Sequence, residues 1–295
     1  MFRRKHKPHT SQEQEPELQE EKINELKAAI GHLSGCSLKF CTDPCLSRYL
    51  RARNWNVAKS KHMLEESLKW RTAYKPEEIH WLEVEHESET GKAYRGNFKD
   101  REGRTVLVMT PAKQNTTSHD NQLRHLVYLL ENAILNLPED QEQMVWLIDF
   151  TGWSLSNAVS MKTSKETLNI LQNHYPERLG AAFVFNPPRI FEAFWKVIKV
   201  FVDPTTYQKI HFVYPKKPES MNLMEKHFDL DVLPADFGGN NKTEYDHEEY
   251  SALMMKDDTK LAAAWGSDEK PSHEARENPS TTAAPEPSLV PAQVS

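Results

Sequence analysis

From Tyr94 onward, short runs rich in β-branched and aromatic residues alternate with longer amphipathic runs, and this alternation limits the available folds more than any other feature of the chain. Strand-like segments fall at Tyr94 to Phe98, Thr105 to Met109, Met144 to Phe150, Ala181 to Phe185 and Ile210 to Tyr214. Helix-like segments fall near Asn121 to Leu137, Lys165 to His174, Ile190 to Val202 and Glu219 to Phe228. Strands separated by helical patterns predict an α/β sheet with helices packed on it, and the turn Asp100-Arg101-Glu102-Gly103 makes the first two strands a hairpin.

The residues before Pro76 carry no strand pattern. Leu18, Leu26, Ile30 and Leu33 give a loose helical stripe, and Asp43-Pro44 reads as N-cap and first turn of a helix carrying Leu46, Tyr49 and Leu50. Asn56 is placed to cap the next helix, in which Val57, Lys61, Leu64, Leu68 and Arg71 recur at helical spacing until Pro76 ends it. Beyond about residue 266, Pro271, Pro279, Pro285, Pro287 and Pro291 interrupt small and polar residues that bury too little to offset their ordering entropy. The expected organisation is a disordered tail over 1–17, a helical module over 18–76, an α/β domain over 77–250, and an extension over 251–295, disordered from about 266. No internal repeat is visible.

Composition excludes several classes. With 38% hydrophobic and 27% charged residues, the 295-residue chain can support a packed core. No apolar run spans a bilayer; the densest, Phe183 to Phe201, is broken by Asn186, Pro187, Pro188, Arg189, Glu192, Lys196 and Lys199. The N-terminus has Arg3, Arg4, Lys5 and Lys7 but no apolar stretch behind them, and three cysteines make no disulfide framework, so a cytoplasmic protein is expected. A net charge of -6 argues against general nucleic-acid binding. The sequence holds 10 glycines and neither GxGxxG nor GxxxxGK[ST], the loops that cradle phosphates. Ser154 lacks a GxSxG elbow, so Asp149, Ser154 and His174 read as a structural aspartate and surface polar groups before they read as a triad. Cys36, Cys41 and Cys45, with His32 or His62, lack the paired CxxC spacing of zinc sites and read as buried or half-buried thiols. Neither an enzyme nor a metal or cofactor protein is expected.

The stretch Arg189 to Lys217 runs against the acidic average, with Arg189, Lys196, Lys199, Lys209, Lys216 and Lys217 opposed only by Glu192 and Asp203, a net +4. In its first half Glu192, Lys196 and Lys199 make one narrow polar stripe, while Ile190, Phe191, Phe194, Trp195, Val197, Ile198, Val200, Phe201 and Val202 cover the rest. Such a helix is either a buried core helix or one that lines an apolar cavity and meets a membrane. Basic charge beside exposed apolar groups is what an anionic lipid surface attracts.

Several ordered motifs then carry a resemblance. His174-Tyr175-Pro176-Glu177-Arg178-Leu179-Gly180, Val184-Phe185-Asn186-Pro187-Pro188, Phe201-Val202-Asp203-Pro204-Thr205-Thr206 and Lys209-Ile210 resemble the signature of CRAL-TRIO lipid-binding domains, nearest the fungal and plant phosphatidylinositol transfer type. Leu50-Arg51-Ala52-Arg53-Asn54-Trp55 with Trp70-Arg71 resembles the preceding helical module, and Phe237-Gly238-Gly239 the closing motif; the match runs roughly from Glu25 to Asn240.

The resemblance implies an α/β fold in which an N-terminal helical module precedes a mostly parallel sheet, with helices enclosing an apolar lipid pocket. It implies headgroup contacts from Arg53, Glu177, Thr206 and Lys209, and a mobile gate helix carrying Phe191, Phe194, Trp195, Ile198 and Phe201, for which Asp203-Pro204 reads as a natural hinge. The basic pair Arg53 and Lys209 suits a phosphodiester, while Glu177 and Thr206 suit inositol hydroxyls. A simple Arg53–Glu177 salt bridge tying the module to the α/β domain is the bland alternative. Asn54 stands where a basic residue commonly follows the arginine motif. Met144 and Trp146 stand where phosphatidylcholine binders have small hydroxyl residues, which leaves Arg178 as the retained contact for a second ligand. The expected activity is phosphatidylinositol binding and transfer by a monomer reversibly attached to intracellular membranes, with presentation to phosphoinositide kinases; a lipid-sensing adaptor without net transfer is the alternative.

Overall fold

The computed structural model describes residues 11–266; of the tails expected over 1–17 and from about 266, residues 1–10 and 267–295 lie outside them, while 11–17 are helical. Four helices come first: α1 (Ser11–Ile30), α2 (Gly35–Phe40), α3 (Asp43–Arg51) and α4 (Val57–Tyr74). Leu26, Leu46, Tyr49, Leu50, Met63 and Leu64 pack into a core of their own. α1 starts well before Leu18, since Glu and Gln are good helix formers even without an apolar stripe. Thr42, one residue before Asp43, caps α3 by accepting from Cys45 N at 3.4 Å, and Pro44 lies in the first turn. Asn56 caps α4 through Lys59 N at 2.9 Å, and Lys75 in the left-handed conformation ends it just before Pro76.

After α5 (Trp81–Ser88) the chain forms β1 (Ala93–Lys99), β2 (Thr105–Met109), α6 (His119–Leu135), β3 (Met144–Asp149), α7 (Met161–His174) and β4 (Leu179–Phe185). Then follow α8 (Arg189–Ile198), a 3-10 turn (Lys199–Phe201), α9 (Pro204–Gln208), β5 (Ile210–Val213), α10 (Pro218–His227) and α11 (His247–Trp265). The five strands lie in chain order, β1-β2-β3-β4-β5. β1 and β2 form the expected antiparallel hairpin, and the remaining pairs are parallel. The segment expected as one helix over Ile190 to Val202 is therefore α8 plus a tighter turn, after which Asp203 caps α9.

Alternation along the strands divides the core. On one face Val106, Val108, Val145, Leu147, Phe183 and Phe185 meet Met224 and Phe228 of α10, with Leu233 and Phe237. On the other, Leu107 and Met144 pack under Val127 and Leu130 of α6 and Ile170 of α7. Farther across that face Ile148, Val184, Ile210 and Phe212 lie under Phe191 and Trp195 of α8. The closing motif has a steric basis: Gly238 has φ +85, and a β-carbon on Gly239 would lie 1.9 Å from the Leu233 carbonyl oxygen.

The expected boundary at residue 250 falls inside α11. This helix buries Tyr250, Met254, Asp257 and Leu261, a stripe whose third member is an aspartate. Asp257 is held by Arg95 at 2.7 Å, Asn132 at 3.1 Å, Asn136 at 2.9 Å and Lys260 at 2.6 Å. A buried charge so bonded is tolerated in a core, yet it breaks the apolar period by which a helix is read from sequence. No helix among the described residues is long and apolar enough to cross a membrane.

Candidate functional site

Parallel pairing of β4 with β5 sets the segments that precede them side by side; Ala182 stands opposite Ile210 and its N–H donates to the Lys209 carbonyl at 2.8 Å. Glu177 precedes β4 and Lys209 precedes β5, and their side chains meet with Nζ 3.6 Å from Oε2, at 21% exposure for the lysine and 24% for the glutamate. Thr206 is half-buried in the turn that delivers Lys209: its N–H donates to Asp203 at 2.9 Å and its carbonyl accepts from Lys209 N at 3.0 Å. Glu177 has φ 59. A residue with a β-carbon holds that conformation at a cost of roughly 1–3 kcal/mol, a strain that clusters where a side chain is held in place for binding or catalysis.

The neighbours of Glu177 are anchors. Tyr175 donates to Glu131 at 2.7 Å, and Pro176 is buried. Arg178, expected as a second-ligand contact, donates to the Glu142 carbonyl at 2.9 Å; burial and then the charge of Arg48 bring its pKa down to about 10.

Arg53 bonds to none of the other three headgroup candidates among the described residues. It sits in the turn after α3, where Asn54 and Trp55 both have positive φ, and its Nη1 donates to the Ala52 carbonyl at 2.9 Å. It lines a cleft between α4 and α7 that His174 also lines. Among the described residues no ion pair joins it to Glu177. The helical module is tied to the α/β domain by other pairs: Arg48 and Arg51 share Glu142 at 2.6 Å and 2.5 Å, and Arg71 meets Glu131 at 2.8 Å. Sequence reading missed these partners because they lie far apart along the chain, outside any periodic pattern.

On α8, Phe191 is buried, its ring centroid 4.0 Å from that of Phe150 and 6.1 Å from that of Trp153. Trp195 stacks on Tyr207 at 6.3 Å and meets Phe212 edge-on at 5.7 Å. The side chains of Phe194, Ile198 and Phe201 lie outside the described ones. Ile190, Val197 and Val200 are exposed, Val200 at 71%, beside exposed Arg189, Lys196 and Lys199. Beneath the helix the sheet is incompletely covered: Ile148 keeps solvent access although β3 is the central strand, as do Ile210 and Phe212, and so does Trp146 farther along β3, beside the α6 and α7 cluster. The Trp146 indole nitrogen is buried without a hydrogen-bond partner among the described residues. Met144, by contrast, is sealed in the core under α6.

Asp149 accepts from Thr151 N at 2.9 Å, Ser154 bonds Ser156 at 2.7 Å and Asn157 at 3.1 Å, and His174 bonds Ser67 at 3.1 Å, so the three are not assembled as a triad. Among the described residues no cluster of His, Cys, Asp or Glu could hold a metal ion. Burial pushes the Cys41 thiol up to about 12.

Comparison with known proteins fits this geometry. The family model described as "CRAL/TRIO domain" matches residues 88–239, and that described as "CRAL/TRIO, N-terminal domain" matches residues 12–66. A CRAL-TRIO domain-containing protein of Schizosaccharomyces pombe is 38% identical over 215 residues, covering 73% of this chain and 20% of that protein. The phosphatidylinositol transfer protein PDR17 of Saccharomyces cerevisiae is 33% identical over 231 residues, covering 74% and 63%. The SEC14 cytosolic factor of Candida glabrata is 31% identical over 222 residues, covering 68% and 72%. The chain thus spans a fifth of the first relative's length and under two thirds of the second's. The crystal structure of Sfh5 shares the fold with a TM-score of 0.54 at 22% identity, covering 72% of this chain and 83% of that one.

Proposed function

Because this chain belongs to the CRAL/TRIO family, we propose that it binds phosphatidylinositol between the sheet and α8 and carries it between membranes, or presents it to phosphoinositide kinases. The observation that carries the reading is the meeting of Glu177, Thr206 and Lys209 at one end of a sheet face that α8 leaves incompletely covered. A phosphodiester would take the Lys209 ammonium and free the Glu177 carboxylate to accept from inositol hydroxyls, with Thr206 beside it. Arg53 would reach the phosphate from the helical module.

A diacyl lipid carries on the order of 30 methylenes worth about 0.8 kcal/mol each, so release into water opposes exchange by roughly 20 kcal/mol or more. An apolar groove that opens only at the bilayer removes most of that difference. The outer surface of α8 and the 3-10 turn after it suits contact with a bilayer, since exposed Ile190, Val197 and Val200 can enter the interface while Arg189, Lys196 and Lys199 meet anionic headgroups. The helix lies between two natural hinges, Asn186 with φ 48 and the Asp203-Pro204 junction that starts α9. Attachment of this kind is peripheral and reversible. Trp146, an indole where phosphatidylcholine binders have a small hydroxyl residue, favours a second ligand less polar than phosphatidylcholine.

Mass spectrometry of lipids co-purifying with the protein, with vesicle-to-vesicle transfer of labelled phosphatidylinositol, tests the reading. Stoichiometric phosphatidylinositol and measurable transfer are expected. Binding without transfer would favour a lipid-sensing adaptor, and the absence of both would overturn the proposal.

A further inference from the structure

The entry to β4 is irregular. Met144 stands opposite Leu179 and Val145 opposite Ala181, so Gly180 is an extra residue in β4, a β-bulge. Side chains alternate between the faces of a sheet, and one inserted residue therefore reverses the side to which the chain before it turns. Glu177 and Arg178 lie just before the bulge. It thus decides that Glu177 meets Lys209 while Arg178 turns to the Glu142 carbonyl.

Arg104 packs into this bulge from β2, across the intervening β3. It stands immediately before β2, and a β-carbon on Gly180 would lie 2.7 Å from its Nη1 and 2.8 Å from its Cδ. The guanidinium has little room to give way. Its Nε donates to Asp100 Oδ2 at 2.7 Å, its Nη1 lies 3.1 Å from Glu102 Oε2, and the Arg104 and Asp100 side chains are 6% and 1% exposed. Asp100 is fixed in turn. Its Oδ1 accepts from Arg104 N at 2.8 Å and Glu102 N at 3.1 Å, and its carbonyl accepts from Gly103 N at 3.0 Å to close the hairpin turn. A buried, fully bonded cation on a tight turn makes a rigid mount.

Arg104 does this from the far side of the sheet. Burial and then the charge of Arg104 lower the pKa of His227, the last residue of α10, and α10 covers the face opposite α8. We propose that Arg104 is a positioning residue for the headgroup site: it holds the bulge at Gly180 and so aims Glu177 at the ligand, without itself touching lipid. This rests on reading Glu177 as the acceptor for inositol hydroxyls.

The test reads geometry and lipid loading separately, in the full chain. Amide exchange follows two reporters, Met144 N–H, which donates to the Arg178 carbonyl at 2.8 Å, and Ala182 N–H, which donates to the Lys209 carbonyl at 2.8 Å. Arg104→Lys keeps a charge for Asp100 and removes the planar fork, whereas Gly180→Ala crowds it. Each should speed exchange at both reporters by about tenfold or more while the amides of α6 stay unchanged. Loading of phosphatidylinositol from vesicles, scored against phosphatidic acid to isolate the inositol ring, should fall by about tenfold in each. Glu177→Ala should lose as much, and adding Arg104→Lys to it should cost nothing further, because the arginine acts through the glutamate. Glu102→Gln removes only a partner at 64% side-chain exposure and should stay within about twofold on both readouts. Unchanged exchange at the reporters, exchange raised equally throughout the fold, or additive losses in the double variant overturns the proposal. Normal loading by Glu177→Ala, with the local exchange changes still present, overturns the headgroup reading alone and leaves Arg104 as the residue that positions Glu177.

Discussion

Arg71 on α4 and Glu131 on α6 form a 2.8 Å ion pair at 7% and 6% side-chain exposure, so the joint between the helical module and the α/β domain is a buried charge pair. Tyr175 donates to the same carboxylate oxygen at 2.7 Å, and Glu77 meets Arg71 from the other side at 3.2 Å. The guanidinium also lies 4.5 Å from the ring of Phe40 and 5.2 Å from that of Trp265, which adds α2 and the end of α11 to the joint.

Removing one member of that pair leaves an uncompensated charge in the core. Glu131→Ala is expected to lower the unfolding free energy by about 3–5 kcal/mol, whereas truncating an exposed pair such as Lys75–Glu78 should change it by less than about 1 kcal/mol. Denaturant melts of the two variants check the contrast; equal losses would show that the buried pair is not the joint.

A buried histidine gives the fold a pH dependence. His125, 3% exposed, contacts Ser88 Oγ through Nε2 at 2.7 Å, and burial, followed by the charge of Lys92, pushes its pKa down to about 3. The folded state keeps it neutral while the unfolded chain takes up a proton near pH 6.5, so its stabilising effect is complete above that pH and shrinks as the pH falls toward 3. By pH 5 the loss should reach ~2 kcal/mol. Unfolding free energies measured over this range should fall on acidification and flatten in His125→Gln; an unchanged slope would assign the effect elsewhere.

Glu177 should trade function against strain. Glu177→Gly relieves the positive φ, so its stability should match or exceed that of the parent by up to about 1 kcal/mol, while phosphatidylinositol transfer is lost. Lys209→Ala should lose transfer as well. A Glu177→Gly protein that is much less stable yet transfers normally would make the Glu177–Lys209 pair purely structural.

The exposed face of α8 and the turn after it should govern membrane attachment alone. Val197→Asp and Val200→Asp remove no buried contact and should change stability by no more than about 0.5 kcal/mol. Sedimentation with anionic vesicles should nevertheless fall sharply. Loss of Lys196 or Lys199 should weaken it by about 1 kcal/mol each at low salt and less at high salt. Unaltered sedimentation in all four would move the membrane contact to another surface.

Much of this architecture is legible in the chain because it is local. The change from helical to alternating period after Pro76, the Asn56 cap, the hairpin at Asp100 to Gly103 and the strand ends beside Glu177 and Lys209 all follow from the preferences of neighbouring residues. Where a local signal was ambiguous, packing chose. Thr42 displaced Asp43 as cap, and α8 gave way to a tighter turn after Ile198.

The helices that escaped were those whose stripe is short or broken by charge. α5 is short and mixed in character, and α11 turns an aspartate inward to meet Arg95 and two asparagines. The division of labour within Tyr175-Pro176-Glu177-Arg178, with anchors on both sides of one acid that faces the site, was equally invisible.

By itself the sequence determined the order and type of most elements, because periodicity, capping and strand pairing depend on near neighbours, whereas Glu177, Thr206 and Lys209 were named as headgroup candidates through the family resemblance. Only the tertiary structure decided that Arg71 belongs to Glu131, that Arg178 is spent on the Glu142 carbonyl, and that Arg53 lines the cleft between α4 and α7. Contacts between residues distant in the chain obey no period; they are set by which surfaces the packed core brings together.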